Sequence, residues 1–106
     1  MNNTSRPASL NYRAAFFALN RAKVDALVSL LVRARFAGGA FYYPVIKNAQ
    51  DLVMYGALYL RTGSSTDGEA AIRAYERLQQ MGQGFLAVDC GMAAGLVAAA
   101  ETRNTE

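Results

Sequence analysis

The chain has 106 residues, 53% of them apolar and 18% charged, with a net charge of +3, one cysteine and neither His nor Trp. That length is enough for one domain with a packed core and not for two. The missing His excludes every His-containing triad, imidazole acid–base step and His-ligated metal. The lone Cys90 excludes an internal disulfide and any paired-cysteine site.

The first eight residues, MNNTSRPA, are polar and precede any hydrophobic period. They read as a flexible arm ahead of a single helical domain over 9–104. No continuous apolar run follows the early positive charge, so no secretory leader is expected and the cytoplasm is the expected location. Segment 9–37 is rich in Ala, Leu, Arg and Phe and has no Gly or Pro inside it. It predicts one long helix, with Ser9 suited to cap it and Gly38-Gly39 to end it; a break near Asn20-Arg21 is the alternative. This helix carries two apolar stripes, Phe16, Leu19, Ala26, Leu27, Leu30 and Ala34 on one, Phe17, Val24, Val28 and Leu31 on the other. A surface helix needs only one, so a central position or a contact with another chain is expected.

The second helix opens with Pro44 in its first turn and closes at Thr62-Gly63. Val45, Ile46, Ala49, Leu52, Val53, Gly56, Ala57 and Leu60 keep a full 3.6-residue period. The opposite face begins with Lys47, Asn48 and Asp51 and then turns to Met54, Tyr55, Leu58 and Tyr59, which something must cover. Just upstream, Phe41-Tyr42-Tyr43 is β-prone but too short to make a sheet.

Thr66 and Glu69 have the spacing of a capping box for a third helix, and Asp67 adds negative charge to its first turn. Ala71, Ile72, Tyr75 and Leu78 form its apolar face, and Glu69 precedes Arg73 at the favourable i,i+4 spacing. Gly82-Gln83-Gly84 predicts a kink or short break. Residues 85–101 resume as a nearly all-apolar helix that runs out near Asn104. The expected fold is an all-α bundle of three long helices, the third kinked or split near 82–84, giving three to four helices.

Segment 84–100, GFLAVDCGMAAGLVAAA, sits at the lower length limit for crossing a membrane and holds the GxxxG pair Gly91 and Gly95. Asp89 near its middle opposes insertion, so a buried helix is expected, with a small membrane-complex subunit as the third functional reading. Asp89 is expected to pair with an arginine or to lie at a helix edge. Cys90 is expected to be a packed side chain, since no base is available to activate it.

Charge is uneven along the chain. Residues 1–61 hold eight Lys/Arg and two acids, whereas 62–106 hold three Arg and six acids. A set of Arg13, Arg21, Lys23 and Arg35 could contact phosphates, with Arg13, Asn20 and Arg35 on one arc of the first helix, and the pI is 9.3. No nucleic-acid-binding signature or phosphate loop accompanies them, so a nucleic-acid-binding module is the alternative reading.

The main expectation is a non-catalytic helical binding protein without cofactor or metal. It would act as an accessory or inhibitor protein of the phage or mobile-element kind, occupying a surface of a larger complex and forming a homodimer. Tyr42, Tyr43, Met54, Tyr55, Leu58 and Tyr59 would supply contact area, and Arg33 and Arg35 charge complementarity.

Overall fold

A computed structural model describes residues 10–35 and 43–105, with side chains over 12–34 and 43–100. Among the described residues four helices follow one another: α1 (Leu10–Arg35), α2 (Tyr43–Thr62), α3 (Ser65–Gln80) and α4 (Gly84–Thr105). The expected all-α bundle is therefore formed, and its third long helix is split in two. Ser9, the arm at 1–8, Gly38-Gly39 and Phe41-Tyr42 lie outside the described residues.

Both helix ends between α2 and α4 are set by glycine. Gly63 has φ 72° and Gly82 has φ 76°, a conformation that costs other L-residues about 1–2 kcal/mol. At the α3 end, Gly82 N–H donates to Gln79 O at 3.0 Å and Gln83 N–H donates to Leu78 O at 2.8 Å. This pair of bonds is a complete Schellman cap, so residues 81–83 make a turn between two helices. At the α2 end, Gly63 N–H donates to Tyr59 O at 2.7 Å, the single bond of the simpler left-handed cap.

The expected capping box does not form. Helix α3 starts at Ser65 with extended Ser64 as its N-cap, so Thr66 is already inside the first turn. The Ser64 side chain makes no capping hydrogen bond, and its backbone N–H donates to Thr62 Oγ1 at 3.1 Å.

Helix α2 is the hub. It packs on α1, α3 and α4; α4 also meets α1 and α3, whereas α1 and α3 have no close backbone approach. The core runs from Phe16, Val24, Val28 and Val32 of α1 through Val45, Ala49, Leu52, Val53 and Ala57 of α2 to Leu78 and Leu86. In α1 every fourth residue from 16 to 32 is buried, the row that a helix presents as a packing ridge. One member of that row is Asn20, whose Nδ2 donates to Phe16 O at 3.0 Å while its Oδ1 has no partner. Helix α1 is unbroken there.

Helices α2 and α4 cross closely at Gly56. A Cβ built on Gly56 would lie 2.9 Å from the Cβ of Ala94. The buried arc of α4 holds Ala87, Ala93, Ala94 and Ala98, of which Ala94 meets Gly56.

Candidate interaction surface

The hub position of α2 corrects the expected contact surface. Met54 and Leu58 are 4% and 0% exposed and belong to the core, so they offer nothing to a partner. Tyr55 is half-buried, its ring edge-on to Phe17 of α1 at 5.6 Å between centroids. The apolar back face of α2 is thus covered by its own chain. Tyr59 is partly exposed and its ring packs over Gly68, where an added Cβ would lie 3.0 Å from Cδ1. Tyr43 and Arg33 are exposed. Tyr42 and the side chain of Arg35 lie outside the described residues.

The basic set is dispersed. Arg13 turns inward and pairs with Asp67 of α3 at 2.5 Å, and Asn20 is buried. The arc of α1 that holds Arg13 and Asn20 therefore faces the bundle. Arg21 and Lys23 are exposed, but two residues apart they stand about 200° round the helix and make no common stripe.

Among the described residues, four of the exposed large apolar side chains lie on α4. Leu86, Ala87, Cys90, Ala93, Ala94, Val97 and Ala98 face inward and are at most 6% exposed. Phe85, Val88, Met92 and Leu96 face outward at 78%, 47%, 67% and 68% exposure. Their spacing of i, i+3, i+7, i+11 makes one continuous ridge along the helix. Helix α4 is apolar on both sides, with Leu86 and Val97 turned to the core and Phe85, Met92 and Leu96 turned away from it. Gly91 and Gly95 flank this ridge, and a Cβ at either would meet nothing within 4 Å. The GxxxG pair therefore takes no part in packing within the chain. Sequence reasoning recognised α4 as all-apolar but not which arc faces out; the signal was the size difference between the arcs.

Smaller exposed apolar residues lie elsewhere: Leu19 and Leu30 on α1, Leu60 on α2 and Ile72 on α3. None forms a run of four.

Cys90 is fully buried, and its thiol pKa is pushed up to about 12, first by loss of solvent and then by the charge of neighbouring Asp89. A thiol so placed is a packed side chain and a poor nucleophile at neutral pH. Asp89 itself is half-buried at the edge of α4. Among the described residues no group of three or more His, Cys, Asp or Glu could hold a metal ion. No helix among them, α4 included, is long and apolar enough to cross a membrane.

In comparisons with known proteins, no family model, curated protein or solved structure matches the chain.

Proposed function

We propose that the protein is a non-catalytic helical binding protein of the cytoplasm that lays the outer ridge of α4 into an apolar groove of a partner protein. It would serve as an accessory or inhibitor subunit of a larger assembly. The outward ridge Phe85, Val88, Met92 and Leu96 carries this reading. A helix apolar all round is normally buried all round, and burying a large apolar side chain contributes about 1.5–3 kcal/mol. Anchors at i, i+3, i+7 and i+11 are the pattern of helix-in-groove recognition. The inert Cys90 and the absence of His support a role without chemistry. The inward turn of Arg13 weighs against nucleic acid as the partner.

The test is the native size of the tagged full chain in gentle extracts of its own cells, compared with the Phe85→Glu/Met92→Glu variant. The wild-type chain is expected in an assembly well above its own 11.4 kDa. The variant is expected to elute as a free chain with unchanged helicity. Identical elution of the two chains would overturn the proposal.

A further inference from the structure

Among the described residues two buried side-chain oxygens lack a hydrogen-bond donor, Asn20 Oδ1 and Asp67 Oδ2. Both lie where the first half of α1 meets the bundle, because Asp67 is the partner of Arg13. Asn20 is wholly buried, yet its Nδ2 donates to Phe16 O of its own helix. Its side chain therefore hydrogen-bonds α1 to no other helix. A buried polar group without a partner has lost its hydration for nothing in return, and contact with water restores it. The Arg13–Asp67 pair also regains hydration when it separates, which offsets much of its mutual attraction.

Apolar contacts divide α1 at the same point. Over 12–20 Phe16 is the one fully buried apolar side chain, and Phe17 adds its edge-on contact with Tyr55 of α2. Ala14, Ala15, Ala18 and Leu19 face solvent. Beyond Asn20 the same row continues as Val24, Val28 and Val32, at most 2% exposed and with no polar member. Asn20 is thus the boundary between a half held largely by polar contacts and a half held by apolar ones.

We propose that residues 10–20 of α1 form a strap that opens from α2 and α3 as one unit while the rest of the bundle stays folded, uncovering Tyr55 and the Asp67 carboxylate. Segments with few buried apolar contacts are the ones that open below the free energy of global unfolding. The strap is a property of the free chain and does not depend on what covers the α4 ridge.

Native-state hydrogen exchange of the full chain, read at single amides in low urea, tests the proposal. The amides of 14–20 are expected to exchange together with one shallow urea slope. Their opening should be at least about tenfold more frequent than the one that frees the amides of Val28, Val32 and α2. Asn20→Val continues the valine row and removes the orphaned acceptor, so strap opening should become roughly tenfold rarer. Arg13→Ala should make it at least about tenfold more frequent. Gly82→Ala strains the turn at the far end of α3 from Asp67. It should speed exchange in α2 and leave 14–20 unchanged. Equal exchange in both halves of α1, acceleration of 14–20 by Gly82→Ala in step with α2, or unchanged exchange of 14–20 in Asn20→Val or Arg13→Ala would overturn the strap. Rates that climb residue by residue toward Leu10 with no common slope would mean a fraying helix end and would overturn it too.

Discussion

Gly56 of α2 and Ala94 of α4 meet where the two helices cross, and a Cβ on Gly56 would stand 2.9 Å from that of Ala94. That contact orients α4: the arc carrying Ala94 is pressed to the hub, and the opposite arc with Phe85 and Met92 is turned out.

One substitution should therefore have opposite effects at two glycines. Gly56→Ala gains helix propensity but forces two Cβ atoms together with no flexible side chain to yield. The net expectation is a loss of up to about 2 kcal/mol, from overpacking costs of about 1–3 kcal/mol less a propensity gain of about 1 kcal/mol. Gly91→Ala meets nothing within 4 Å and should raise the stability of the free chain by about 0.5–1 kcal/mol. Urea unfolding measures both; a stabilising Gly56→Ala would mean that α2 and α4 are not closely crossed.

The Arg13–Asp67 pair ties α1 to α3, which otherwise do not approach. Arg13→Ala leaves a buried carboxylate without its counter-charge. With Arg13 itself a quarter exposed, the expected loss is about 2–4 kcal/mol. The double change Arg13→Met/Asp67→Leu should recover most of that loss, because no buried charge remains. If the single and double variants unfold at the same urea concentration, the pair is not the link between these helices.

Cys90 should be silent in the folded chain. Its thiol pKa lies near 12 against an ordinary 9.0, so at pH 8 thiol reagents should react only at the rate of unfolding. The raised value also gives a signed pH effect. Below pH 9 both folded and unfolded chains keep the proton, and the stability contribution is fully present. Between pH 9 and about 12 the unfolded thiol ionises while the folded one does not, so stability falls as pH rises. Cys90→Ala should flatten this part of the pH–stability curve relative to the unaltered chain. Fast labelling at pH 8, or parallel alkaline curves, would show that Cys90 is not buried.

The Schellman glycine between α3 and α4 carries a steric demand. Gly82→Ala places a Cβ at φ 76° and should cost about 1–2 kcal/mol. Gly82→Asn should cost less, since Asn tolerates this region better than Ala does. Equal melting temperatures for all three chains would contradict the cap.

Much of this architecture was legible in the residues. The 3.6-residue period of α2, its Pro44 start and its Gly63 stop are local signals, and the break at 82–84 follows from glycine spacing. What escaped was set by distant contacts. Met54 and Leu58 looked like a free face because periodicity along α2 does not reveal that helices pack on both its sides. Asp67 looked like a solvated first-turn charge, because its partner Arg13 is 54 residues away. Helix α4, apolar throughout, has no polar face to show which side turns outward. The contrast between Phe85/Met92/Leu96 and Ala93/Ala94/Ala98 held part of that information, and the inward Leu86 and Val97 blur it.

The outer ridge of α4 is most directly tested by placing a photo-crosslinking residue at Met92 and, as a control, at Ile72, another solvent-facing apolar position, on α3. Both chains would be irradiated in their own cells. A discrete adduct at Met92, absent at Ile72 and abolished by Phe85→Glu, is the result expected of a docking helix. No adduct at Met92, or the same adducts from both positions, would contradict it.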